Sequence, residues 1–478
     1  MFNQSFISWI TNRKTIILLL VSVLALSVVP VATSVSLLAS VAILGICLAV
    51  LAILALVYKP IIGVYYLLVF CFLLFFFTRE IGGDIPYGLG IEALLMLSFV
   101  ALILRSNASD WQRTNTMLTW LMLAWLVISV LEVVNPAGAS IRGWSQEIRS
   151  AALYPFLIVL IGFLAFRKST DLDTFLIVVF LFSLLATLNG IKQLHFGLST
   201  GEQRFLDEGG AITHVLFGKL RVFSFYSDAG QFGASQAHFC VLAAVLASGK
   251  FKWWKRLLLA SLSAIFLYGM LISGTRGALF ALLVAAFFAL FLSKNIKVLL
   301  LGSLLVVMAV GFLKYTTIGN ENYEIYRLRT ALNPDDPSLN VRFENQQRLR
   351  DFMVSLPFGG GLGVIGANGK EYNADKFLSS VEPDSYWVKV WAMYGIVGFT
   401  LWFSGMMYLL GRGAAIVWKL QDEHLRIKCI ALLSGVAGIF FCSYGNEVIN
   451  TMPSLIVTNL SLVFVFLAPS FDKKPNAV

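Results

Sequence analysis

Long apolar runs alternate with short polar connections along the whole chain, and one polar stretch, 314–385, breaks that rhythm near the end. A run of about 17 to 25 apolar residues is long enough to cross a hydrocarbon core as a helix. The pattern predicts about fourteen such spans, at 15–31, 36–57, 60–78, 91–105, 117–134, 150–166, 174–193, 229–248, 256–272, 276–293, 297–313, 386–410, 426–443 and 451–469. The first follows Arg13 and Lys14 in the manner of a signal peptide, but no small-residue cleavage site precedes the next run, so it is expected to be retained. The expected fold class is all-α: a polytopic membrane protein of 12 to 14 transmembrane helices, one domain over 1–478, with a large outward loop at 314–385 between the eleventh and twelfth spans.

Composition agrees, since 58% hydrophobic against 13% charged residues leaves too little polar surface for a soluble protein. Basic residues gather in alternate short connections, among them Arg13, Lys14, Lys59, Arg105, Arg167, Lys168, Lys250, Lys294, Arg412, Lys419, Arg426 and Lys428. Such residues are held back on the cytoplasmic side during insertion. That side is then the inside, both termini lie there, and 314–385 faces out with 135–149, 194–228 and 273–275. The net charge of +10 follows from topology, so membrane lipids are expected partners and nucleic acid is not. The five cysteines sit irregularly within apolar runs and imply no disulfide framework and no metal site.

Within the outer loop, Leu349, Phe352, Met353 and Leu356 recur at i, i+3, i+4 and i+7 beside Arg342, Gln346, Arg348, Arg350 and Asp351, which predicts an amphipathic helix. Tyr323, Tyr326 and Leu328 point to a shorter one before it. A lid packed on the bundle and a direct substrate contact are both open for this region. Pro357-Phe358-Gly359-Gly360-Gly361-Leu362-Gly363 is too glycine-rich to stay helical; it suits a tight turn or, through successive amides, an anion cradle. No Lys-Ser or Lys-Thr follows it, so it is not a nucleotide loop.

Three charged sites stand at outward-facing helix starts, where unpaired amides and the helix dipole favour an anion. The first is Arg221 ahead of Ser227, Asp228 and a helix carrying Gln231, Ser235, Gln236 and His238. The second is Ser273-Gly274-Thr275-Arg276-Gly277, which sets a guanidinium on the opening turn of a long apolar helix. The third is Glu382-Pro383-Asp384-Ser385-Tyr386-Trp387, two carboxylates at the mouth of the twelfth span. The plainer readings are helix caps and a snorkelling arginine.

In this order and on this face, the three sites resemble those of the O-antigen ligase and polymerase family of bacterial membrane glycosyltransferases. The resemblance covers roughly residues 200 to 400, and Pro-Phe-Gly-Gly-Gly-Leu-Gly and Tyr394-Gly395-Ile396-Val397-Gly398 add to it. It implies transfer of a glycan from a polyprenyl-diphosphate carrier to a glycan or lipid acceptor at the outer face of the cytoplasmic membrane, with no nucleotide-sugar donor and no cofactor. Family members hold the diphosphate with arginines, which the resemblance places at Arg221 and Arg276, with Arg348 and Arg350 as auxiliaries from the loop. Ligases carry a histidine near the end of the large loop as the base. Here Glu382 to Trp387 has none, which leaves Asp384 as the substitute base, Glu382 as the residue orienting it, and His214 or His238 as alternative bases. A polymerase of lipid-linked repeat units, with a chain-length regulator as a further partner, is thereby favoured over a ligase. The competing class is a flippase for a lipid-linked glycan, but the charges cluster at the outer helix ends and the chain shows no matching halves.

Overall fold

The computed structural model describes residues 50, 52–82, 86–216, 218–294, 296–321, 323–330, 337–383 and 385–472. Each predicted span from 60–78 onward coincides with a helix; 15–31 and most of 36–57 lie outside the described residues. In chain order the principal helices are α1 (Ile61–Glu80), α2 (Gly88–Arg105), α3 (Met117–Leu131), α4 (Ile141–Ile148), α5 (Tyr154–Ala165), α6 (Ser169–His195), α7 (Ala229–Ala247), α8 (Trp253–Ile272), α9 (Arg276–Leu292) and α10 (Ile296–Tyr315). The outer loop contributes α11 (Tyr323–Thr330), α12 (Pro337–Met353) and α13 (Gly366–Tyr372), and α14 (Tyr386–Lys419), α15 (Glu423–Cys442) and α16 (Ser454–Phe471) complete the chain. Nine helical spans among the described residues are long and apolar enough to cross a membrane. The two-residue strands Val215–Leu216 and Lys219–Leu220 form a small hairpin in an otherwise helical protein.

Burial sorts the helices into a centre and a rim. Helices α8, α9 and α15 surround α7, so that residues 229–243 are buried on every face, polar ones included. Those polar side chains act as interhelical glue. Gln236 accepts from the Thr187 hydroxyl of α6 (2.8 Å) and donates to Ser183 Oγ (3.2 Å), and Ser235 meets the Tyr226 hydroxyl at 2.9 Å. Helices α2, α3 and α8, by contrast, turn most of their apolar surface outward.

At one end of the bundle, Lys250 pairs with Glu423 (2.8 Å), Lys294 donates to the Trp418 carbonyl (3.1 Å), and Lys428 pairs with Asp173. At the other end the outer loop closes over the helices. Leu349 and Met353 of α12 are buried against Ile148, Leu362, Leu378 and Met393, which makes this part of the loop a packed lid. Phe352 is partly exposed and packs its ring against that of Phe377, centroids 4.6 Å apart.

The glycine-rich turn and α14 interlock. At Gly395 (φ +68°) α14 breaks, and the amides of Gly360 and Gly361 donate to the freed carbonyls of Ala392 (2.9 Å) and Met393 (3.0 Å). Gly359 also has positive φ (+81°), and a side chain there would strike the backbone at Met393 and Gly395. These two amides are therefore spent on the protein itself, as a turn that fastens the lid to α14.

Candidate functional site

The site is built on the loop between α15 and α16, residues 443–453, which none of the sequence motifs singled out. Three helix starts dock on it. The Ser443 carbonyl accepts from the Tyr386 amide (3.0 Å), and Trp387 Nε1 donates to the Phe440 carbonyl (3.0 Å), which fixes the start of α14. Asn446 lies against Gly277 at the start of α9 and Gly230 at the start of α7, and a side chain at Gly277 would displace it. Gln231 Nε2 donates to the Met452 carbonyl at 2.6 Å.

Around this loop the structure brings Arg221 to the turn that carries Arg276. Arg221 Nη2 donates to Thr275 Oγ1 (3.0 Å), Nη1 donates to the Thr213 carbonyl (2.9 Å), and Thr275 Oγ1 in turn donates to the Ala229 carbonyl (2.8 Å). Thr275 immediately precedes Arg276, the first residue of α9, and both arginines are half-buried. A planar guanidinium with several donors suits a phosphate in such a setting. Asp228 caps α7, accepting from the Gln231 amide at 2.9 Å.

The segment 222–228 that presents Arg221 is held by a residue the sequence reading did not name. Arg79, at the end of α1 and 6% exposed, donates to the carbonyls of Ser224 (3.0 Å), Tyr226 (2.5 Å) and Ser227 (2.8 Å). Its guanidinium also lies over the rings of Phe205 (4.4 Å) and Phe223 (4.6 Å).

A second charged group faces the same loop. Lys389, on the first turns of α14, bridges Glu147 (3.0 Å) and Glu447 (3.1 Å). Asn368 donates to the other oxygen of Glu147 at 2.7 Å, and Asn450 reaches Glu447 at 3.4 Å. Burial pushes the Glu447 carboxyl above its ordinary range, against the pull of the Lys389 ammonium. Glu147 stands just before a π-helical turn, Arg149–Leu153, a distortion common near functional sites.

The remaining predicted residues are placed as follows. Glu382 is exposed and pairs with Lys370. Asp384 lies outside the described residues; its neighbour Ser385 caps α14 by accepting from the Val388 amide at 3.3 Å. Arg348 and Arg350 are exposed on α12, either side of the buried Leu349. His214 is engaged at both nitrogens: Nε2 accepts from the Ala229 amide at 3.2 Å, and Nδ1 meets the Gly210 carbonyl at 2.9 Å. Burial holds its basicity below the usual histidine range. His238 is enclosed within α7, its ring 5.2 Å from that of Phe239 and its Nε2 against Gly435. Among the described residues no group of histidine, cysteine and carboxylate side chains could hold a metal ion.

Residues 261–403 match the family described as O-Antigen ligase, a stretch that contains the Arg276 turn, the outer loop and the start of α14 but not Arg221. The chain is also similar to an O-antigen polymerase of Salmonella muenchen, 26% identical over 374 residues that make up 75% of this chain and 90% of that protein. The chain is thus a polytopic membrane protein that is similar, over the stretch carrying the Arg276 turn and the outer loop, to the O-antigen ligase family and, over three quarters of its length, to an O-antigen polymerase.

Proposed function

We propose that the chain is a glycosyltransferase that moves a glycan from a polyprenyl-diphosphate carrier to an acceptor hydroxyl, polymerising repeat units of a surface polysaccharide. The observation that carries this reading is the contact of Arg221 with Thr275, which sets two guanidinium-bearing segments around one helix start. In the reaction the acceptor O–H gives its proton to Asp384, and the oxygen attacks the anomeric carbon with inversion. The carbon–oxygen bond to the diphosphate breaks, and its electron pair leaves with that group. Arg221 and Arg276 meet the charge that gathers there, in a partly water-excluded setting where such stabilisation exceeds its value in water. Lys389, paired with Glu147 and Glu447, acts as a positioning group that ties the start of α14 to the 443–453 loop.

An outward orientation of the arginines is supported by Lys250, Lys294 and Lys428, which cluster at the opposite end of the bundle, the end that the positive-inside rule favours for the cytoplasm. Polymerase is favoured over ligase by the name of the relative aligned over most of its length, and by the lack of a histidine in 382–387. The test is purified protein with a lipid-linked oligosaccharide. Arg276→Ala and Arg221→Ala should insert normally and release polyprenyl diphosphate about a hundredfold more slowly or worse, and wild-type rates in both would remove the arginines from the mechanism.

A further inference from the structure

Far from the arginine site, the turn between α7 and α8 and the first turns of α8 read Lys250-Phe251-Lys252-Trp253-Trp254-Lys255-Arg256-Leu257-Leu258, and every residue from Lys252 to Leu258 is exposed. No aspartate or glutamate occurs between Asp228 and Glu321, so these cations have no compensation nearby in the chain. The rest of the fold answers part of the charge. Lys250 pairs with Glu423 of α15 at 2.8 Å, and Arg256 Nε donates to the Ala247 carbonyl at 3.0 Å. Among the described residues neither Lys252 nor Lys255 pairs with a carboxylate, and Lys255 lies by the ring of Trp254, 5.4 Å from its centroid. The turn is also fixed in place. The Phe251 ring lies 5.0 Å from that of His424, and the amides of Lys255 and Arg256 donate to the Lys252 carbonyl (3.0 and 3.2 Å), which gathers three cations in one helical turn. Trp253 is 76% exposed and is followed one turn later by Leu257, 60% exposed. Along this edge of the rim helix the surface therefore passes from cation through indole to aliphatic, the order of layers from head group to hydrocarbon at the border of a bilayer.

We propose that Lys252, Lys255, Arg256 and Trp253 form a binding surface for an anionic phospholipid of the leaflet at this end of the bundle. The phosphate lies among the two ammonium groups and the guanidinium, Trp253 flanks the glycerol region, and the acyl chains run along Leu257 and Leu258. Clustered basic residues beside a membrane span draw anionic head groups in this way. A zwitterionic lipid brings its own cation to the same surface and gains less. An acidic protein would match the charges, but it would leave Leu257 and Leu258, on a helix long and apolar enough to span the membrane, without acyl chains to cover them.

Native mass spectrometry of the full chain, purified in detergent and mixed with equal amounts of phosphatidylglycerol and phosphatidylcholine, supplies the test. The wild type should retain phosphatidylglycerol about tenfold more strongly. Lys252→Gln with Lys255→Gln should remove most of that preference, and Lys252→Arg with Lys255→Arg should keep it. Arg412→Gln with Lys419→Gln, an equal loss of charge at two exposed positions of α14, should also keep it. Equal retention of the two lipids by the wild type, or equal loss in the two glutamine pairs, overturns the surface. Thermal unfolding in nanodiscs gives a second measurement, since a lipid bound to the folded state raises the midpoint. Phosphatidylglycerol should raise the wild-type midpoint above its value in phosphatidylcholine, and Lys252→Gln with Lys255→Gln should narrow the difference. In phosphatidylcholine alone the two proteins should unfold together, because neither lysine holds an internal ion pair among the described residues. An equal rise in wild type and variant counts against the proposal.

Discussion

Three residues in and around the site make separable predictions. Asp384 is the proposed base, so Asp384→Asn should slow turnover about a hundredfold or more. Glu447→Gln should retain most of it, since Lys389 keeps its 3.0 Å partner Glu147; the reverse ranking, measured by release of polyprenyl diphosphate, would move the base to Glu447. His214 is kept neutral by burial and by accepting from Ala229, so its folded pKa lies below the ordinary value near 6.5. That stabilisation is fully present above the ordinary value and is lost as pH falls through the depressed folded one. Thermal unfolding of the detergent-solubilised protein should therefore show a steeper loss of stability on acidification in the wild type than in His214→Gln.

At the scale of elements, the turn at 357–363 and the break at Gly395 explain each other. Replacing a glycine inside a helix by alanine usually stabilises by about 0.5–1 kcal/mol. At Gly395 the sign reverses, because φ is +68° and a side chain would strike the Pro357 carbonyl. Gly395→Ala is expected to cost about 1–3 kcal/mol and to lower the unfolding midpoint, whereas Gly411→Ala, on the same helix, should not. The sequence made this region half-legible. Low helix propensity located the turn, but which carbonyls its amides would meet depended on a helix break some thirty residues away, and Gly395, though part of the Tyr394-Gly395-Ile396-Val397-Gly398 element, gave no sign of a break inside an apolar run. The spans themselves were legible because one apolar periodicity serves both to insert a helix and to bury it. Arg221 and Arg276 stood out because a guanidinium at an apolar helix start is costly without a purpose. Arg79, Glu147 and Glu447 did not: Glu147 and Glu447 lie in short polar connections, Arg79 ends a span as any snorkelling arginine would, and their partners are far away in the chain.

For the molecule as a whole, the buried Lys389 is shared by α14, α4 and the 443–453 loop, and Asn368 on Glu147 joins the outer loop to that group. Removing one member of a buried ion group leaves charge without compensation, at about 3–5 kcal/mol. Lys389→Met should therefore lower thermal stability sharply, and adding Glu147→Gln should recover part of the loss; equal midpoints for the single and double variants would show that the triad does not act as a unit.

The enclosure of α7 has its own consequence. Its buried start, residues 229–243, sits at the hub from which Arg221 and Arg276 are hung, while α2, α3 and α8 form the rim. A bilayer that thickens or thins as its acyl chains change presses on those outer helices, and the strain is absorbed there by tilt. Catalysis at the hub should accordingly proceed at similar speed in thin and thick membranes, even where the depth of the whole protein in the bilayer shifts.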